Sequence, residues 1–357
     1  MERICINLKQ QKSMKIQFSD NIFDILRLWA ILQVTLGHLQ EHLQVHLPRI
    51  WNRIFGYPGV VVLFAISGFL VTASWDRLMD RDRGCSQYIR KRFLRIYPGL
   101  WVSIVISSLC IFLFYTRRPS PQEVVTYIAT QFSGCNFYTG GWLRGYGVGT
   151  PNGSLWTICI ELQFYILIML VWRWLKRQHA GVWTLLLVLS IVANVLFGKW
   201  AEMSDSVIYK LASVTVLPYF YMFLIGTMAY RYFDRFVDIV QKYRIWMTVI
   251  LLSMIELGNR YVHVGLYSNV LAGIGLAGLT CVLAYVLGVK IRLPFDISYG
   301  IYLYHMIIVN VLVELGKVGH MTYLIGALLG SIACGFASWY IVEKRWLERI
   351  SWKMIKK

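Results

Sequence analysis

From residue 22 to residue 342 the chain is a series of apolar blocks separated by short polar segments. A helix needs about 20 apolar residues to cross the hydrocarbon layer of a bilayer, and most of these blocks approach that length. The blocks cover residues 22–39, 59–75, 94–115, 155–174, 182–197, 207–230, 245–261, 266–289, 295–315 and 321–342. Charged residues make up only 15% of the 357, against roughly a quarter in a soluble domain. The pattern therefore predicts an all-α integral membrane protein with about ten transmembrane helices.

The basic residues orient those helices. Placing the N-terminus inside puts most Lys and Arg into the inner segments, above all Arg77, Arg81, Arg83, Arg90, Lys91, Arg92 and Arg95. Basic residues concentrate on the cytoplasmic side, so both termini are expected there. The net charge of +18 then reflects topology, and no nucleic-acid partner is expected. The first residues are polar and basic without an apolar core, so the first span is expected to remain as an anchor. The division expected is a basic tail over 1–21, a membrane domain over 22–342 and a second basic tail over 343–357. Residues 116–153 form a long outer loop rich in Gly, Tyr and Pro. Such a loop suits a sugar, by stacking on exposed aromatic rings, as well as it suits simple connection. The seven cysteines form no metal-type pair and no disulfide framework, and no metal is expected.

Inside the first block, F-D-I-L-R-L-W-A-I-L-Q-V-T-L-G-H-L-Q-E-H carries Asp24, Arg27 and His38. Ionisable groups within a membrane helix are costly and mark function. The spacing from Arg27 to His38 is about three helical turns, so both lie on one face about 16 Å apart. Asp24 shares that face and is placed to pair with Arg27. A neutral His38 near the outer end suits a general base or an acyl carrier; it equally suits a structural histidine. Glu161 lies at a similar depth in S-L-W-T-I-C-I-E-L-Q-F-Y and is expected to orient His38 or to form another ion pair. Ser298, Tyr302 and His305 share one face of the ninth block, as a polar site or a packing stripe. Arg90, Lys91, Arg92 and Arg95 open the third block from inside, suited to phosphates or to lipid headgroups. In the second block Ser67 and Gly68 permit close helix approach, or leave room for a thin cofactor arm.

Taken together, these stretches resemble the acyltransferase 3 family of integral-membrane O-acyltransferases. Arg27 and His38 meet its first-helix pair, and residues 59–70 meet its G-V-x-x-F-x-x-S-G-F-L helix. Arg92 and Arg95 meet its R-x-x-R pair. Residues 154–165 meet S-L-W-x-x-x-x-E-x-x-F-Y, and residues 298–305 meet S-Y-x-x-Y-L-x-H. The resemblance implies ten spans in a bacterial inner membrane, a cytoplasmic acetyl-CoA or other short acyl-CoA donor, and an acceptor hydroxyl on a polysaccharide or glycolipid outside. It makes His38 the leading catalytic residue, supported by Glu161 and Arg27. It makes Arg92 and Arg95, with Arg90 and Lys91, coenzyme A contacts, and Ser67, Tyr302 and His305 pocket residues. Some relatives carry an extra esterase-like domain after the last span, where here only 343–357 follows. Buried Arg, His and Glu also suit a transporter or polysaccharide exporter with a proton relay, although no internal repeat is visible.

Overall fold

A computed structural model describes residues 16–348. The expectations placed on residues 1–15 and 349–357, which hold much of both basic tails, lie outside the described residues. Among these residues the secondary structure is helical, with no strand.

The principal helices are α1 (Phe23–His42), α2 (Arg49–Phe55), α3 (Gly59–Asp76), α4 (Gly84–Phe114) and α5 (Pro121–Ser133). They continue with α6 (Trp156–Leu175), α7 (Ala180–Met203), α8 (Val207–Ser213), α9 (Phe220–Arg231) and α10 (Phe233–Tyr261). The last three are α11 (Val270–Val286), α12 (Ser298–Glu314) and α13 (Met321–Ser338), the final one running on into a π-helical turn, Trp339–Glu343.

Each expected span coincides with a helical stretch. Five helices among the described residues are long and apolar enough to cross a membrane, or six when the pair Val207–Ser213 and Leu217–Arg231, bent by 46°, counts as one. The remainder fall short for physical reasons. The apolar run of α1 is broken by Asp24, Arg27 and Glu41, and α11 and α12 have 17 residues each. Helix α10 starts twelve residues before the expected block, and its backbone breaks at Tyr243. The polar stretch before that break is Asp234, Arg235 and Asp238. Apolar side chains face outward on the rim: only 17% of the apolar window of α7 is buried. Exposed Phe112, Leu170, Ile245 and Leu329 continue the same surface. A protein solvated by water rarely exposes that much contiguous apolar area, whereas lipid accepts it.

Helix α3 is the hub, packing against α1, α6, α9 and α11. Its closest approach is to α9. A methyl group on Gly68 would overlap the Phe223 carbonyl oxygen, and one on Gly226 would overlap that of Ala65. The paired glycines let the two backbones touch, and Thr227 Oγ1 donates to the Gly68 carbonyl across the contact. Gly68 therefore makes room for a helix, and of the two expectations for this position the cofactor-arm one is set aside.

The 116–153 segment differs from a plain loop. Ser120 and Glu123 form a reciprocal capping box that starts α5. Behind it Tyr115, Tyr127, Trp142 and Tyr146 pack into a small buried cluster, so these rings face one another and not the outside. The segment is fastened to α12: the Asn310 amide donates to the Thr150 and Pro151 carbonyls at 3.0 and 2.9 Å, and its oxygen accepts from Val148 N–H. Gly147 N–H donates to Glu314 at 2.8 Å, and the Asn152 amide donates to the Leu303 carbonyl.

Candidate active site

Helices α1, α3, α4, α6 and α12 enclose a cavity of about 150 Å³. Among its lining residues are Arg27, Ser67, Arg92, Arg95, Glu161 and Tyr302. The helical spacing of Arg27 on α1 and of the Arg92/Arg95 pair on α4 points each of them inward. Arg90 and Lys91 face elsewhere: Arg90 is exposed, Lys91 half-buried, and neither lines the cavity.

A carboxylate not singled out from the sequence organises one end of the cavity. Asp296 Oδ2 accepts from Arg95 Nη2 at 2.6 Å and from Arg27 Nη1 at 3.3 Å, while its other oxygen accepts from Ser298 Oγ. It stands at the N-terminal end of α12, where the helix dipole favours an anion. Asp24 lies 3.7 Å from Arg27, as the i,i+3 spacing implies, and 3.6 Å from Arg292. The sequence signal for Asp296 was its position: it is the acidic residue in L-P-F-D-I-S-Y-G, just before a polar helix face.

Elsewhere in the cavity wall, Arg92 lies over the rings of Tyr88 and Tyr165, at 5.4 and 5.1 Å from their centroids. The Tyr165 hydroxyl donates to Glu161. Arg92 Nε and Ser67 Oγ are buried without a hydrogen-bond partner among the described residues. Buried polar atoms are rarely left unpaired, so this pair of donors fits an incoming carbonyl or phosphate oxygen.

His38 and His305 meet directly. His38 Nδ1 and His305 Nε2 are 2.9 Å apart, with the rings nearly coplanar. His305 Nδ1 faces the carbonyls of Tyr302 and Ile301 at 2.9 and 3.2 Å. Carbonyls only accept, so the proton of a neutral His305 is on Nδ1 and its Nε2 accepts from His38 Nδ1–H. The His38 Nε2 lone pair is then free. The ring of His42, one turn on, stacks at 5.8 Å. The expected partner of His38 was Glu161; the structure puts His305 in that place and gives Glu161 to Tyr165. Both histidines stand just beyond the cavity, with Tyr302 between: its hydroxyl meets Thr157 and the Ser154 carbonyl, and its own carbonyl accepts from His305. No group of three His, Cys, Asp or Glu among the described residues is arranged to hold a metal ion.

A family model described as an acyltransferase domain matches residues 20–343, which contain every group just described. The chain belongs to the acyltransferase 3 family. It is an acyltransferase, and its apolar helices make it a membrane protein. Among its relatives in this family, Nodulation protein 10 of Rhizobium leguminosarum bv. viciae is 29% identical, over 91% of this chain and 92% of that protein. The O-acetyl transferase of Shigella phage Sf6 is 27% identical, over 94% and 98% of the two chains. Peptidoglycan O-acetyltransferase OatA of Listeria monocytogenes is 24% identical over 50% of this chain but 28% of its own length. No solved structure matches.

Proposed function

We propose that this acyltransferase moves an acetyl or other short acyl group from cytoplasmic acyl-CoA to a hydroxyl of a surface or exported polysaccharide or glycolipid, such as O-antigen or exopolysaccharide. The relatives' names support acetyl transfer to oxygen. The reading places ten spans across a bacterial inner membrane with both termini inside, supported by the ten helical stretches and by the distribution of basic residues.

The observation that carries the reading is the His38–His305 hydrogen bond. His305, anchored to its own helix backbone, holds His38 in the tautomer with a free Nε2, as a general base requires. Acyl-CoA supplies the activated acyl group as a thioester. The chain's residues do the rest. His38 Nε2 takes the proton of the acceptor hydroxyl, whose oxygen bonds to the acyl carbon as the carbon–sulfur bond breaks, and the proton then passes from His38 to the sulfur. Arg92 and Ser67 supply donors for polar groups of the donor's arm, and Asp296 holds Arg27 and Arg95 in place. Glu161 accepts from Tyr165, whose ring Arg92 overlies. The long outer segment, fastened to α12 beside His305, borders the path of the acceptor.

The test is acetyl-CoA turnover by the purified protein in detergent or vesicles, wild type beside His38→Ala, read as free coenzyme A and as label reaching a glycan extract. General-base loss is worth about 10²–10⁴ in rate. Turnover by His38→Ala at the wild-type rate refutes the scheme. A folded wild type that neither binds nor cleaves acetyl-CoA refutes acetyl-CoA as the donor.

A further inference from the structure

The segment after α4 carries a groove of about 460 Å³ that shares no lining residue with the cavity. It runs between α5 and the chain that returns over residues 138–142. Glu123, Thr126 and Thr130 line it from one face of α5, at spacings of three and four. Tyr138, Gly141 and Trp142 line it from the other side. The opposite face of α5 is apolar: Val125 and Ile128 are exposed and continue the surface that suits lipid. Helix α5 therefore has two surroundings, with its polar face turned to the groove.

The groove is held open by its own backbone contacts. The Gln131 amide donates to the Tyr138 carbonyl at 3.1 Å, and the Asn136 amide to the Gln131 carbonyl at 2.8 Å, which ties the returning chain to α5. Tyr115 Oη donates to the Trp142 carbonyl at 3.0 Å. One end adjoins the helix that carries His305. The Thr139 and Thr150 hydroxyls meet at 2.9 Å, and the Thr150 carbonyl accepts from Asn310. Asn310 stands five residues, about 7.5 Å, along α12 from His305.

The groove is rich in hydrogen-bond acceptors. Thr126 and Thr130 give their hydroxyl protons to the Gln122 and Thr126 carbonyls at 2.9 and 2.8 Å, so their oxygens are left to accept. Glu123 accepts from Ser120 N–H and from Arg117, one on each oxygen, and each oxygen keeps a further lone pair. No lysine or arginine among the described residues lines the groove. A phosphate or carboxylate only accepts and meets no cation there. A sugar chain matches it: its hydroxyls donate, and its ring faces stack on an aromatic such as Tyr138, which is 45% exposed.

We propose that this groove binds the acceptor glycan as a chain, holding sugars other than the one that is acylated. The proposal rests on the acceptor reading above and adds a requirement to it: a good acceptor is long enough to occupy the groove and still reach His38.

The test measures label transfer from acetyl-CoA by the full chain in detergent, to a glycan extract separated by size into long chains and fragments of one or two sugars. Gly141→Leu fills the groove. The Gly141 backbone lies outside the left-handed region, and a Cβ there meets no atom within 4 Å. Thr126→Val with Thr130→Val keeps the shape of α5 and removes two acceptors. Each variant is expected to raise the KM for long chains about tenfold, with the KM for acetyl-CoA and for the short fragments unchanged. Val125→Leu, on the apolar face, moves none of them. A long-chain KM left unchanged by either folded variant overturns the proposal, as does a rise shared equally by the short fragments. Binding of labelled long chains without acetyl-CoA is read in parallel, and a wild type that binds none overturns it too. If the wild type transfers nothing from acetyl-CoA, the functional reading fails, and long-chain binding weakened by the variants still supports the groove.

Discussion

Replacing Asp296 by Asn keeps the shape of the side chain and removes its charge. In the structure one oxygen of Asp296 holds two guanidiniums, at 2.6 and 3.3 Å. At an effective dielectric constant of about 20, those separations correspond to attractions of about 6 and about 5 kcal/mol. Desolvation cancels most of this, and removal of one partner from a buried ion pair costs about 3–5 kcal/mol, because a charge is left uncompensated. The Asp296 side chain keeps 27% of its surface accessible, which moves the expected loss to about 2–3 kcal/mol. The assay is reversible unfolding of purified protein in detergent, with acyl transfer measured beside it. Adding Arg95→Gln to Asp296→Asn is expected to cost less than Arg95→Gln alone, since the arginine has then lost its partner. Activity should fall with stability, because Arg27 and Arg95 line the cavity. If Asp296→Asn unfolds within about 0.5 kcal/mol of wild type, the range of an ordinary surface change, the carboxylate is not holding the arginines.

Two further outcomes follow from the same geometry. His305→Ala removes the acceptor that fixes the His38 tautomer and is expected to lower the rate of transfer by about 10²-fold or more, with the KM for the acyl donor little changed; a rate within twofold of wild type contradicts the dyad. Gly68→Ala must push α3 and α9 apart against backbone, at an expected cost of about 3 kcal/mol, read as a lower unfolding midpoint, and an unchanged midpoint contradicts the contact.

The membrane character and most helix positions were legible because they depend on local composition and length. The shared face of Arg27 and His38 was legible for the same reason, since it follows from the pitch of one helix. The five motifs pointed to the family that the match over residues 20–343 shows. What stayed hidden were partnerships between distant segments. His38 was matched with Glu161 by depth alone, but depth says nothing about which helix stands on which side. Arg90 and Lys91 were grouped with Arg92 and Arg95 by adjacency, although successive residues on a helix point about 100° apart.

The sequence by itself determined the helices, their apolar outer surface and the faces that carry ionisable groups, because these depend on spacing along one chain. Only the tertiary structure decided that His305, some 267 residues from His38, is its hydrogen-bond partner. The same holds for Asp296, which joins two arginines from different helices, and for Gly68, which faces Phe223. These contacts come from how α1, α3, α4, α9 and α12 pack, and the packing depends on the shapes of all the helix surfaces together.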